Sequence, residues 1–184
     1  MASPTLLSID DFLSLPEPED CRYELDEGEL VVVAFPEFKH NRTVWKICSI
    51  VNEFIKRNRL GQVFPMATPY VLNKEGNTIR KPDISFIATE RLGSISVEEC
   101  IYGAPDLAIE VKCPTRPAPD LKKRLEQYLA AGVKSVWVVC PKTCRADIFE
   151  PGGTKRRIEL GGIVDAPSVL PGFSVQVDAF FEEF

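Results

Sequence analysis

The sequence predicts an α/β (α+β) fold in one domain over residues 1–184, with its core between about residues 20 and 178. Three observations predict it. An apolar strand, a helix and a second apolar strand follow one another between Asp106 and Cys140, which is the pattern of a parallel crossover unit. Segments joined by glycine-containing turns indicate β-hairpins near both ends of the chain. A chain of 184 residues with 45% apolar composition is sufficient for one sizeable core.

The N-terminal part of the chain is predicted to contain a short helix, a hairpin and a long helix. Ser8 is expected to cap the short helix, because two acidic residues follow it and suit the helix dipole. Gly28 is expected to supply the positive φ of the turn in a hairpin over residues 21–35, which we place at a sheet edge. Apolar residues recur at helical spacing over residues 39–60, and Gly61 is expected to end this helix.

Strands are predicted for the middle of the chain. We expect them at residues 62–66, 68–72, 78–81 and 82–88, with a turn at residues 73–77. A less regular stretch follows and continues to Ala104. Asp83 comes directly after Pro82, at the entrance of the fourth of these strands. Alternation then puts Asp83 on one face with Ser85 and Ile87.

The stretch Asp106–Lys112 has an apolar strand pattern but carries charges that burial would exclude. Successive side chains of a strand point to opposite faces. One face is therefore formed by Leu107, Ile109 and Val111, and the other by Asp106, Ala108, Glu110 and Lys112. Pro114 disfavours a continuing strand, so we expect the strand to end at Cys113-Pro114, with Glu110 and Lys112 near its carboxyl end. Ligands of open α/β sheets bind at this end.

The rest of the chain completes the predicted crossover and adds a terminal hairpin. Residues 119–132 are expected to form a helix that buries Leu121, Leu125, Tyr128 and Leu129 and ends at Gly132. Residues 134–140 are almost wholly apolar, as expected of a strand covered on both faces, so a right-handed parallel crossover is expected here. Further strands are predicted at residues 145–150, 156–160 and 173–177, with an acidic helical end.

Charge and cysteine content narrow the functional classes. The net charge of −5 and the pI near 5.1 provide no overall basic field, so a local patch or bound cations would have to attract nucleic acid. The N-terminus lacks the pattern of a signal peptide, and no apolar run approaches the length of a membrane span. We therefore expect the six cysteines to be reduced thiols of a cytoplasmic protein. Cys140 and Cys144 form a close pair without further ligands nearby, which favours incidental thiols over a metal site.

Asp83, Glu110 and Lys112 are the candidate catalytic residues. If their strands are neighbours, the two carboxylates can hold a hard divalent cation, with water and phosphate oxygens in its remaining positions. Such a cation makes hydroxide available near neutral pH and offsets charge that develops at phosphorus. Lys112 shares a face with Glu110. It is better suited to orient water or neutralise phosphate than to act as a base, because neighbouring carboxylates keep it charged.

The wider sequence resembles a known family. Pro82-Asp83 followed by Glu110-Val111-Lys112 is similar to the PD-(D/E)XK signature of the restriction-endonuclease-like superfamily. The frame is completed by Tyr23-Glu-Leu-Asp-Glu-Gly-Glu-Leu-Val, a histidine that opens the long helix, Ala104-Pro-Asp-Leu, Tyr128-x-x-Ala-Gly-Val, Val136-Trp-Val-Val and Leu170-Pro-Gly-Phe. Over residues 8–181 the chain is similar to the Uma2 family of bacterial endonuclease-like proteins, once catalogued as a domain of unknown function.

The resemblance implies a restriction-endonuclease-like fold, with a central mixed β-sheet flanked by helices. It also implies Mg²⁺-dependent or Mn²⁺-dependent cleavage of DNA, with Asp83 and Glu110 as metal ligands and Lys112 beside them. Many relatives carry the lysine on the following helix, near Arg124. Because a guanidinium pairs well with phosphate but cannot act as a base, Arg124 is expected to contact phosphate, and Gln127 is an accessory candidate. A homodimer is expected, since cutting both strands needs two sites.

Several candidates have an alternative structural explanation. Glu110 and Lys112 can form an ion pair on an exposed strand, and Asp83 can cap a turn after Pro82. Asp106 either joins the site or opens its strand, and we favour the structural role.

The remaining candidates are accessory residues. Among the hairpin acids, Glu29 after Gly28 is preferred to Glu24 as an accessory acid. His40, at the start of the long helix, can have a structural or a catalytic role. Lys122, Lys123 and Arg124 are interpreted as a phosphate-binding group, because three consecutive cations are unusual in an acidic chain, although a solvated helix face is the alternative.

The leading hypothesis is a divalent-metal-dependent endonuclease that acts on DNA. A catalytically silent module that binds nucleic acid or protein on the same fold is one alternative, and a hydrolase of small phosphoesters is another. The nuclease should lose activity, but not folding, when Asp83 or Lys112 is replaced by alanine. The silent module should bind no metal at these carboxylates, and the small-ester enzyme should ignore DNA length.

Overall fold

A computed structural model describes residues 6–16, 18–65, 68–95, 100–112 and 118–182. Within these ranges the helices and strands are, in chain order, α1 (Ile9–Leu13), β1 (Cys21–Asp26), β2 (Glu29–Ala34), α2 (Phe38–Asn58), β3 (Gly61–Pro65), β4 (Tyr70–Asn73), β5 (Thr78–Arg80), β6 (Ile84–Ala88), α3 (Thr89–Leu92), β7 (Ile101–Tyr102), β8 (Leu107–Val111), α4 (Ala118–Ala130), β9 (Ser135–Cys140), β10 (Arg145–Glu150), β11 (Thr154–Ile158), β12 (Ile163–Ala166) and β13 (Leu170–Gln176). Short 3-10 helices lie at Pro151–Gly153 and Val177–Phe180. The predicted α/β (α+β) class is confirmed.

The central sheet has six strands in the order β11-β10-β9-β8-β6-β3. β8 and β9 are parallel and are joined through α4, which confirms the predicted strand–helix–strand unit. β6 is antiparallel to β8, and Ile84 lies opposite Ile109. This register brings Asp83, immediately before β6, level with Glu110 on β8. The N-terminal hairpin belongs to a second sheet, of order β2-β1-β5-β4-β7, in which β2 is at the edge as predicted.

The main core lies between the central sheet and α2. Leu107, Ile109 and Val111 share this core, which confirms the alternation predicted for β8. The pair β12-β13 extends the same core, since Phe173 packs between the rings of Phe54 and Trp137. On the opposite face, α4 packs Tyr128 against Ala108 and Val136. That face is therefore the one toward which Glu110 points.

Local signals at the N-terminal helix and the hairpin turn are confirmed. The Ser8 hydroxyl accepts a hydrogen bond from the Asp11 N–H at 3.1 Å, and the Asp11 carboxylate accepts one from the Ser8 N–H at 2.9 Å. Glu27 and Gly28 both have positive φ, as a two-residue hairpin turn with the right-handed strand twist requires.

The structure differs from the prediction at several places. α2 ends with Arg59 in the left-handed conformation, and Gly61 instead begins β3. β7 is only two residues long, so it has no periodicity to detect, and β12 was not predicted. The expected strand end at Cys113-Pro114 lies outside the described residues. The predicted acidic helical end is a short 3-10 helix, Val177–Phe180, with Asp178 in its first turn. In the described ranges, no helix is long and apolar enough to cross a membrane.

Candidate active site

Five charged side chains are buried where the two large sheets meet α4. They are Glu24 on β1, Arg80 on β5, Asp83 before β6, Glu110 on β8 and Arg124 on α4, and none is more than 3% exposed. Moving isolated ions out of water is costly, so buried charges must pair with one another. The cluster depends on tertiary contacts, because its members come from five different segments.

Arg124 connects two of the carboxylates. Its Nη1 donates to Glu24 Oε2, and its Nη2 donates to Glu110 Oε1 at 2.6 Å. Tyr128, one helical turn later, donates its hydroxyl to the same Glu110 oxygen at 2.8 Å. Burial alone would lower the pKa of Arg124, but the carboxylates of Glu110 and Glu24 outweigh burial and raise it well above its usual value. Arg124 is therefore a permanent cation inside the cluster.

Glu24 remains ionised despite complete burial. Burial raises the pKa of Glu24, and Glu110 acts in the same direction, but the charges of Arg124, Arg22 and Arg80 outweigh them and lower it. Its Oε2 accepts from Arg80 Nη1 at 3.2 Å as well as from Arg124. In contrast, Glu24 Oε1 is buried without a hydrogen-bond partner in the described part of the chain.

Asp83 is held by contacts from two directions. Its Oδ2 accepts the Val111 N–H at 2.9 Å and lies 3.1 Å from His40 Nε2. Its Oδ1 lies 3.5 Å from Arg22 Nη2. His40 is 6% exposed and belongs to the first turn of α2, so the helix start faces the cluster. The structure thus brings together Asp83, His40 and Glu110, three of the residues singled out from the sequence.

Comparison with known proteins identifies the family. The family model Uma2, described as "Putative restriction endonuclease", matches residues 9–178. The chain belongs to the Uma2 family. A crystal structure of "a putative nuclease belonging to DUF820" from Anabaena variabilis ATCC 29413 is 23% identical, with a TM-score of 0.82 over 95% of this chain and 97% of that chain. This likeness confirms the fold. No curated protein matches the chain significantly.

In this Uma2 chain, Lys112 lies just beyond the end of β8 and is half-buried. Its N–H donates to the Val139 carbonyl at 2.7 Å, which keeps it beside Cys140 on β9. Burial raises the pKa of the Cys140 thiol, but hydrogen bonds from Thr143 and Lys142 and the charge of Lys112 outweigh burial and lower it. Because Glu110 is buried and paired with Arg124, the alternative of a Glu110–Lys112 ion pair on an exposed strand does not apply.

The cysteines are free wherever the structure describes them. Free thiols are found at Cys21, Cys48, Cys100, Cys140 and Cys144. Cys113 lies outside the described ranges.

Asp106 and Glu29 lie away from the cluster. The Asp106 carboxylate accepts the Ala88 N–H at 2.9 Å and contacts Arg91 at 3.0 Å and Lys134 at 2.8 Å, which is the structural role favoured for it. Glu29 lies opposite Asp26 in the backbone register of β1 and β2, at the turn end of the hairpin, and its side chain is exposed. Glu24 takes the position that was expected of Glu29, because β1 lies inside the sheet and β2 at its edge.

The three consecutive cations in the middle of α4 do not form one phosphate-binding surface. Lys122 is exposed and pairs with Glu126, whereas Lys123 contacts Asp26 at 2.9 Å and Glu27 at 3.1 Å. Arg124 points inward to the cluster described above. Consecutive helical residues are separated by about 100° around the axis, since a turn has about 3.6 residues, so the three side chains diverge.

Gln127 was a candidate from the sequence, but its hydrogen bond with Arg80 is seen only in the structure. Arg80 Nε donates to Gln127 Oε1 at 2.8 Å, and Gln127 Nε2 donates to Asp26 Oδ1 at 2.8 Å. Arg80 Nη2 also contacts Asp26 Oδ2 at 2.9 Å. Gln127 therefore joins α4 to the N-terminal hairpin and supports Arg80, which in turn contacts Glu24.

The carboxylate oxygens of this cluster are ligands of the kind that a hard divalent cation binds. Asp83 and Glu110 stand level on neighbouring strands, and Glu24 supplies a buried oxygen whose hydrogen-bonding capacity is unused by the described residues. Mg²⁺ commonly binds through one or two carboxylates and several waters. The present arrangement of the described residues contains no group of three His, Cys, Asp or Glu side chains in metal-binding geometry. The guanidinium of Arg124 instead holds Glu110 and Glu24.

Proposed function

We propose that this Uma2 protein hydrolyses phosphodiester bonds of DNA with a divalent cation, Mg²⁺ or Mn²⁺, held by Asp83 and Glu110. Membership of an endonuclease-like family supports a hydrolase role. The observation that carries the proposal is the register of β6 and β8. In this register the buried residues Asp83 and Glu110 lie opposite each other at the carboxyl end of β8. Dimerisation is part of the proposal, since two strands of DNA need two sites.

Each side chain has a defined task in the proposed mechanism. A bound cation would lower the pKa of a water molecule and offset charge on the phosphate. The Val111 N–H and His40 fix the orientation of Asp83, and Tyr128 fixes that of Glu110. Lys112, just beyond the end of the same strand, would orient water or neutralise phosphate. Arg124 cannot accept a proton, so it acts as a counter-ion and not as the base.

Incubation with supercoiled plasmid and with single-stranded DNA, in Mg²⁺, Mn²⁺ or EDTA, tests the proposal. We expect metal-dependent cutting that falls by about 100-fold or more in Glu110→Gln and Asp83→Asn, as for other groups that act on a reacting water. Glu29→Gln is the matched control, because this exposed acid lies outside the cluster. Circular dichroism and the melting temperature check that each variant is folded.

One observation favours a second function. The carboxylates of the cluster are already paired with Arg22, Arg80 and Arg124, which suits a silent nucleic-acid-binding module that needs no metal. If the folded protein cuts no DNA with either cation, and neither cation raises its melting temperature, this second function replaces the nuclease. Cleavage of bis(p-nitrophenyl) phosphate without any cleavage of DNA would instead identify a small-phosphoester hydrolase.

A further inference from the structure

The outer face of the first half of α2 combines exposed aromatic rings with cations. Phe38 is 80% exposed and Trp45 is 57% exposed. In a helix of 3.6 residues per turn, positions 38, 42 and 45 project to one side, so Arg42 lies between the two rings. Lys39 and Lys46 flank this row. We call these five residues the α2 face.

The charged side chains of the α2 face are all cations. Residues 38–49 contain three lysine or arginine side chains and no Asp or Glu, although the chain has a net charge of −5. The first turn of α2 has no acidic residue, while Lys39 and Arg42 lie close to the helix N-terminus. Glu37 precedes them as the N-cap residue of α2. The positive sign of the α2 face is complementary to phosphate.

The α2 face and the candidate active site lie on opposite sides of the first turns of α2. His40 lies in the same first turn and contacts Asp83 at 3.1 Å on the inner side of the helix. From Phe38 to Trp45 the helix rises by about 10 Å, at about 1.5 Å per residue. Phe35, in the segment that enters the helix, is 59% exposed and adds a third ring at the same end. A strand bound to the α2 face is therefore separated from the carboxylate cluster by the width of one helix, about 10–12 Å.

We propose that the α2 face binds single-stranded nucleic acid at the end of the helix that carries His40, so that the substrate class is unpaired DNA, which one site can cut without a dimer. Exposed aromatic rings stack on the faces of bases, which a duplex hides, and cations of the same row contact the phosphates. The Arg42 guanidinium beside these rings can also contact the face of a base through a cation–π interaction. This inference rests on the proposed nuclease function for its substrate, whereas the binding itself needs neither metal nor Asp83.

Binding is measured in EDTA, so that cleavage plays no part, by fluorescence anisotropy of a labelled oligo-dT and of a duplex of equal length. We expect the wild-type protein to prefer the single strand, and Trp45→Ala and Phe38→Ala each to weaken its binding by about 10-fold or more. The control for the rings is Leu160→Ala, which removes another exposed apolar side chain, 61% exposed, near the C-terminal hairpin. This control should bind as wild type does.

The cations and the tryptophan give two independent readouts. A Lys39→Gln, Arg42→Gln, Lys46→Gln variant should flatten the salt dependence of binding, because three phosphate contacts on a single strand give a slope of about −2. Lys56→Gln, Arg57→Gln at the other end of α2 is its matched control. Trp45 is the exposed one of two tryptophans, since Trp137 is fully buried, so oligo-dT should quench the wild type and not Trp45→Phe.

The outcomes separate this inference from the proposed function. Equal affinity for duplex and single strand, or unchanged binding by the α2-face variants, overturns the inference even if plasmid is cut. Selective binding in EDTA without any cleavage in Mg²⁺ or Mn²⁺ supports the α2 face and removes the nuclease. If light scattering shows a dimer that Phe38→Ala with Trp45→Ala makes monomeric, and oligo-dT does not bind, the face is a subunit interface and the inference fails.

Discussion

At the scale of single residues, Arg124 decides the character of the candidate active site. One guanidinium contacts Glu24 from the N-terminal sheet and Glu110 from the central sheet. The two carboxylates repel each other, since Glu110 acts to raise the pKa of Glu24. The planar fork of arginine can contact both carboxylates at once, which a lysine ammonium on one stem does less well. Arg124 is thus the counter-ion that allows two acids to be buried together.

Replacement of Arg124 should therefore cost more than the loss of one contact. We expect Arg124→Met to lower the free energy of unfolding by about 3–5 kcal/mol, because it leaves buried carboxylates with fewer cations. Glu24→Gln in the same chain should recover part of this loss, since it removes one of the charges that Arg124 neutralises. Urea unfolding of the wild type, both single variants and the double variant measures the coupling.

Lys122→Met is the matched control for this cycle. Lys122 precedes Arg124 by two residues, is exposed and pairs only weakly, with Glu126 at 3.7 Å. We expect it to change the unfolding free energy by less than about 0.5 kcal/mol. Additive effects of Arg124→Met and Glu24→Gln would show that Arg124 does not neutralise Glu24.

Part of the cluster could be predicted from single residues, and part could not. Glu110 was detectable because a charge interrupts an apolar strand pattern. The same signal is present at Glu24, between Tyr23 and Leu25, and at Arg80, after Ile79. Their partners are not encoded locally, since Glu24 contacts residues 56 and 100 positions away. Only the folded arrangement of β1, β5 and α4 shows that these charges neutralise one another.

At the scale of elements, prediction succeeded where the signal is local. Ser8 with Asp11 marks a helix start, and Gly28 marks a hairpin turn. The parallel pair β8-β9 followed from two apolar runs around an amphipathic helix. β7 was not predicted because two residues carry no period, and its extended residues pair with β4 in parallel.

Gly61 connects α2 to the central sheet and is expected to tolerate no side chain. Its φ is +152°, and an added Cβ would lie 2.1 Å from the Ile87 carbonyl oxygen on the neighbouring strand. We expect Gly61→Ala to lower the free energy of unfolding by about 2 kcal/mol or more, because backbone must move. Urea unfolding gives this value.

Gly93 provides the matched control for Gly61. It has an ordinary helical φ of −71°, and among the described residues other than its chain neighbours no atom lies within 4 Å of an added Cβ. Gly93→Ala should leave stability unchanged or raise it by about 0.4–1 kcal/mol, since alanine restricts the unfolded chain. Equal effects of the two substitutions would contradict the packing assigned to Gly61.

At the scale of the whole molecule, partly buried polar contacts connect elements that are distant in the sequence. Asp26 ties the N-terminal hairpin to α4 through Lys123 and Gln127. Asp106 ties α3 and the start of β9 to β8. Burial raises the pKa of each carboxyl, but for Asp26 the contacts with Lys123, Gln127 and Arg80 outweigh it and lower the pKa. For Asp106 the Ala88 N–H, Lys134 and Arg91 do the same.

These lowered pKa values predict a molecule that loses stability in acid. The unfolded chain titrates near the usual values of 4.5 for Glu24 and 3.8 for Asp26 and Asp106, whereas the folded chain titrates lower. Stabilisation by these groups is therefore complete above about pH 4.5 and is lost as the pH falls through the lowered values. The melting temperature should fall steeply below about pH 4.5.

Asp106→Asn tests this linkage at one residue. An amide resembles the protonated acid and cannot pair as an anion with Arg91 and Lys134, so at pH 7 it should lower the unfolding free energy by about 1–3 kcal/mol. At pH 3 the Asp106 carboxyl of the unfolded chain, with its usual pKa of 3.8, is largely protonated, so the stabilisation by its anionic form and the difference between wild type and variant should shrink. Glu29→Gln should leave the melting temperature unchanged at both pH values. A wild-type to Asp106→Asn difference that is the same at pH 3 and pH 7 would mean that Asp106 does not depend on its charge, and the acid sensitivity would then have to come from the Glu24 and Asp26 contacts.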